Sequence, residues 1–83
     1  MNKETILMYL PLLKRQHIIN FAKKEGISLT NDEVDTIYSV IKTNARDLLN
    51  GNYSSLEQHK SKLNEQTYQT IIRLINQYKS MIN

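Results

Sequence analysis

Apolar residues in the middle of this chain return every three or four positions, behind a residue pattern that starts helices. Val34, Ile37, Tyr38, Ile41, Ala45 and Leu48 follow Thr30 and Glu33. Steps of three and four keep side chains on one face of a 3.6-residue helix, whereas a half-buried strand needs strict alternation. The Thr30 hydroxyl is placed to accept from the Glu33 amide, and the Glu33 carboxylate to accept from the Thr30 amide, the reciprocal pair of a capping box. Leu29 before the cap and Val34 inside the helix are spaced as a hydrophobic staple. Asp32, Glu33 and Asp35 add negative charge where the helix dipole is positive. Asn50-Gly51 supplies a stop, because glycine takes the left-handed conformation freely. The spacing predicts a helix from about 31 to 43, continuing to 49.

Three further segments follow the same logic. Asn64 is a helix cap with Leu63 and Tyr68 as its staple, and Tyr68, Ile71, Ile72, Ile75, Tyr78 and Ile82 form one stripe of a helix from 65 to about 81. Ser54 and Glu57 read as another capping box, opening a shorter helix through Leu63 anchored by Leu56 and Leu63. Pro11 suits a first helical turn, where its missing donor costs nothing. That predicts a helix from Leu12 to Glu25, ended by Gly26, with Leu13, Ile18, Phe21 and Ala22 inward. Residues 3–9 form a separate short helix, or one long kinked helix spans both; a break near Pro11 is the favoured reading. The fold class expected is all-α, a small compact bundle of four to five helices in a single domain over residues 1–83.

Size and composition narrow the functional classes. A chain of 83 residues buries only about 60–65% of its unfolded surface, so it packs well alone or leans on another chain. It has no cysteine and two histidines, His17 and His59, which leaves no disulfide, no thiolate metal site and no structural zinc site. No cofactor is expected. The apolar run Ile6–Leu13 is interrupted by Pro11 and closed by Lys14-Arg15, too short for a secretory signal or a membrane span. A cytoplasmic, non-membrane protein is expected. The net charge of +3 is mild, with no block of like charge.

Chemical motifs are sparse. The two glycines stand alone at 26 and 51, so there is no phosphate-cradling loop. Asp32 and Asp35 sit beside a helix cap and read as dipole-stabilising residues rather than metal ligands. His17 shares a helical face with Leu13 and Phe21 and reads as a partly buried structural histidine; His59 reads as exposed. No nucleophile with a base and an acid beside it is identifiable, and an enzyme is not expected. Five tyrosines occur, but Tyr38, Tyr68 and Tyr78 fall on core stripes rather than forming a base-stacking platform.

Phe21 to Ile41 invites comparison with a DNA-reading helix-turn-helix. Apolar residues would be needed about 10 and 13 positions after Ala22 for that motif, where this chain has Asp32 and Asp35. The helix that would enter the groove also opens with Asn31, Asp32 and Glu33, carboxylates that phosphates repel. Lys14, Arg15, Lys23 and Lys24 nonetheless form a basic face that could touch phosphates, which keeps a nucleic-acid-binding accessory protein as the alternative.

Two helices carry apolar residues off their main stripe. Leu12 and Ile19 lie almost opposite Phe21, and Leu74 and Met81 lie on the flank away from Ile71 and Tyr78. A helix apolar on two sides is either central in its bundle or offers one side to a partner. These four residues are the candidate protein interface, for a second copy or another protein, and the functional expectation is a non-catalytic interaction module.

The stretch "FAKKEGISLTNDEVDTIYSVIKTN", followed by "LLNGN" and the closing amphipathic helix, resembles the YqfT-like short proteins of Bacillus-type bacteria over residues 18–80. That resemblance implies a small bacterial cytoplasmic protein and brings no functional residue with it.

Overall fold

The computed structural model describes residues 2–81, without the side chains of Pro11, His59 and Lys62. The elements are α1 (Lys3–Tyr9), a 3-10 turn at Leu10–Leu12, α2 (Arg15–Lys24), α3 (Asn31–Leu49), α4 (Ser54–His59), a 3-10 turn at Lys60–Lys62 and α5 (Glu65–Ser80). Among the described residues there is no strand, and the all-helical expectation holds. The Cα radius of gyration is 12.0 Å, close to the ~12 Å of a compact chain of this length.

Helix α3 is the axis on which α1, α2 and α5 pack. Val34, Ile37, Ile41 and Leu48 are buried on it, as the periodicity predicts, and Val40 and Leu49 join them. Its start is the capping box: Thr30 Oγ1 accepts from Glu33 N at 3.1 Å and Glu33 Oε1 accepts from Thr30 N at 2.8 Å. The helix kinks at Asn44, whose φ of −118° and ψ of 18° leave the helical region. There the Asn44 side-chain amide donates to the Val40 carbonyl at 3.0 Å. A polar side chain competing for the i−4 carbonyl is a recognised cause of such bends. Gly51, at φ +82°, ends the run.

The first quarter departs from expectation. Asn2 caps α1 by accepting from the Thr5 amide and hydroxyl, both at 2.8 Å. Residues 3–9 do form their own short helix, but Pro11 lies in a 3-10 turn after it rather than in the first turn of the next one. Without an N–H, proline cannot extend the α1 ladder, and the chain tightens before it breaks. Helix α2 therefore begins at Arg15, not Leu12. Lys14 is extended there, and its amide donates to His17 Nδ1 at 2.9 Å. Leu13, Ile18, Phe21 and Ala22 are buried as predicted.

Two more corrections concern the C-terminal half. Ser54 is not a cap; Tyr53 holds that position without a side-chain bond, and Asn52 accepts from both the Ser54 amide and hydroxyl. Asparagine two residues upstream thus does the work assigned to the Ser54–Glu57 pair. Leu56 is fully buried, while Leu63 is half-buried beyond the turn. Helix α5 has its predicted cap, with Asn64 Oδ1 accepting from Thr67 N at 2.7 Å, but its inward stripe is rotated. Thr67, Thr70, Ile71, Leu74 and Ile75 are buried, whereas Tyr68, Ile72 and Tyr78 are only half so. The threonines can be buried because both hydroxyls are satisfied, Thr67 by Glu33 at 3.0 Å and Thr70 by the Gln66 carbonyl at 2.7 Å. The readings of Ile82 on this stripe and of His59 as exposed lie outside the described residues.

Chain direction follows from the ends. Glu33, at the start of α3, touches Asn64 and Thr67, at the start of α5, so these two helices run in parallel. The connection through α4 returns the chain from one end of the bundle to the other. It is tied down where Lys79 Nζ reaches the Tyr53 hydroxyl at 2.6 Å and stands 4.8 Å from its ring centre.

Candidate functional site

At the end of the bundle away from Glu33, α1, its 3-10 turn and the last turn of α5 meet around an open apolar groove. Along the first segment, Ile6, Leu10 and Leu13 step inward by four and three residues and are buried, forming the floor. The residues between them point out. Tyr9 is 58% exposed and Leu12 63%; both stand on the groove's rim, faced by Tyr78 and Met81 from α5. Met81 is 42% exposed. His17 closes one side. The groove encloses about 280 Å³. Met8, 76% exposed, adds apolar surface on the same short helix.

The groove continues past Leu13, His17 and Tyr78 into a second stretch of about 320 Å³, lined further by Asn20, Lys24 and Gln77 over a buried floor of Phe21 and Leu74. It exists because α2 and α5 each pack on α3 with few direct contacts of their own. Burial holds the Tyr78 hydroxyl above the ordinary tyrosine range, so it stays protonated and able to donate.

The four candidate interface residues separate. Leu12 and Met81, 69 positions apart in sequence, are brought onto one rim. Leu74 is 4% exposed and belongs to the core, because buried Thr67 and Thr70 turn α5 toward it. Ile19 is half-buried over a separate small cleft with Lys23, Ile27 and Leu29. Sequence reasoning missed Tyr9 and Met8. The signal was available, since Met8, Tyr9 and Leu12 are further apolar positions between the inward residues Ile6, Leu10 and Leu13.

The basic face also divides. Arg15 Nε is paired with Asp35 Oδ1 at 2.6 Å. Lys24 lines the groove, and Lys14 and Lys23 are exposed. His17 is exposed rather than partly buried; it leans over the groove and returns to the Lys14 amide. Asp32 is exposed, and among the described residues no three His, Asp or Glu side chains stand together as metal ligands. Nor is any helix among them long and apolar enough to cross a membrane.

The polar counterpart of the groove is the Glu33 carboxylate. Oε1 accepts from Thr30 N at 2.8 Å, and Oε2 accepts from Asn64 Nδ2 at 2.7 Å and Thr67 Oγ1 at 3.0 Å. The Thr30 amide, then Asn64, hold its pKa down to about 2 against the opposing effect of burial, with the Thr67 and Thr30 hydroxyls adding to them. One carboxylate thereby serves two helix N-termini as a structural clamp. No protein-family model, curated protein or solved structure matches this chain.

Proposed function

We propose that this chain is a non-catalytic protein-interaction module that buries the groove around Tyr9, Leu12, Tyr78 and Met81 against a protein partner. One observation carries the reading. Of the four large apolar side chains exposed among the described residues, three (Tyr9, Leu12 and Met81, from both ends of the sequence) converge on one concavity. Exposed apolar surface gathered into a groove is the usual mark of an interaction site; scattered single residues are not. Arg15's ion pair with Asp35 weighs against the phosphate-contacting alternative, because it ties up one of the four cations that face would use. A cytoplasmic bacterial setting, implied by the likeness to the YqfT-like proteins, belongs to the same proposal.

Site-specific photo-crosslinking in living cells tests it. A photoreactive residue at Leu12 or at Met81 gives the same discrete adduct, absent when the residue is placed at exposed Thr43 on α3 and lost with Tyr9→Lys. An adduct of two chain masses makes the partner a second copy. Absence of any discrete adduct from both positions overturns the proposal.

A further inference from the structure

The groove also has a direction, and its direction specifies chemistry. Helix α2 runs opposite to α5 across it: Leu13, His17, Tyr78 and Met81 stand at one end, and Lys24 and Leu74 at the other. His17, Asn20 and Lys24 recur at one-turn steps along one wall, a helical edge of about 10 Å, and Gln77, Tyr78 and Met81 form the other. Two antiparallel helix edges that leave a gap between them over an apolar floor of Leu10, Leu13, Phe21 and Leu74 present the seat that an amphipathic helix fills.

Polarity is graded along that seat. The Leu12–Met81 end is bounded by apolar side chains and tyrosine rings, and the far end by Asn20, Gln77 and the Lys24 ammonium. Among the described residues, neither stretch is lined by a carboxylate. Among the described residues Lys24 has no hydrogen-bond or ion-pair partner, whereas Arg15, at the start of the same helix, is already matched to Asp35 on α3. A second copy placed groove to groove would offer Lys24 no carboxylate, since a two-fold contact joins a patch to the same patch and neither stretch carries one. A lysine covered with no carboxylate beside it is left an unmatched charge, which is disfavoured.

Resting on the interaction reading above, we infer that the occupant is an amphipathic helix of another protein, with apolar anchors at one end and carboxylates at the other. The anchors sit over Leu10 and Leu13 between Leu12 and Met81, and the carboxylates face Lys24.

Two synthetic helical peptides of about 14 residues test this on the full chain. They share leucines at one-turn spacing and differ only at one end, glutamates in the first and lysines in the second. The acidic peptide binds about fivefold or more tightly than the basic one, shifting amide signals of residues 12–24 and 74–81. Lys24→Glu, an exposed substitution that leaves the amide spectrum folded, reverses that preference. Equal affinity for both peptides overturns the acidic partner and leaves the groove as an interaction site. Binding of neither, while Leu12 still crosslinks in cells, overturns a helical occupant and leaves the interaction reading standing. Signals that shift on concentrating the chain alone assign the groove to a second copy and overturn the inference.

Discussion

Where α3 and α5 begin, polar groups pair with one another: Thr30, Asn64 and Thr67 converge on the Glu33 carboxylate. Where α5 finishes beside the turn that follows α1, Tyr9, Leu12 and Met81 stand in solvent around an apolar hollow. One chain of 83 residues closes one end of its bundle with charge-assisted hydrogen bonds and leaves the other greasy and open. The closed end uses the Glu33 carboxylate on its own helix starts. The open end carries apolar area that contributes little to folding, because it stays wet, and that gains only when something covers it.

That contrast is sharpest at Leu74 and Leu12, two leucines that sequence spacing treats alike. Leu74→Glu places a charge in the floor of the bundle and costs at least ~4 kcal/mol, comparable with the whole stability of a chain this size. Loss of the cooperative thermal transition is the expected result; a folded Leu74→Glu would break the distinction between floor and rim. At the closed end, Glu33→Gln keeps the shape and removes the charge, at an expected cost of about 1–2 kcal/mol in urea denaturation. The pH dependence follows the same carboxylate. Its folded value of about 2 lies below the ordinary 4.5, so the ionised form favours the folded chain. Its contribution is whole above about pH 4.5 and fades as pH falls toward 2. Glu33→Gln flattens that part of the acid titration; an unchanged acid slope would sever the link between the clamp and stability.

Smaller effects mark the surface. Arg15→Ala removes an exposed ion pair with Asp35 and shifts stability by no more than ~0.5–1 kcal/mol, less at high salt. Leu12→Ser stays within about ±0.5 kcal/mol of the parent, as expected of an exposed position outside the core. A loss several times larger would make the rim part of the fold.

The sequence disclosed structure wherever the deciding interaction is local. Thr30 with Glu33 and Asn64 with Thr67 lie three residues apart, and both helices start where those pairs place them. The bend at Asn44 falls one residue past the segment read most firmly. Legibility failed where long-range partners decide. The apolar stripe of α5 leaves out Thr67 and Thr70; what lets Thr67 turn inward is the Glu33 carboxylate, 34 positions away, and with it Leu74 enters the core. Spacing reads His17 as partly buried, yet α2 starts three residues later than proline placement suggests, and its exposed ring turns back to the Lys14 amide. The groove was half visible. An apolar residue opposite a helix's main stripe is a local observation, and it found Leu12 and Met81; that α2 and α5 would stand apart over α3 is a property of three helices together.

Methyl NMR of the isolated, dilute chain with a soluble paramagnetic probe tests the contrast most directly. The account predicts strong broadening of the Met8, Leu12 and Met81 methyls and protection of Leu10, Leu13 and Leu74. Protection of Leu12 and Met81 with no partner present, or broadening of Leu74, would contradict it.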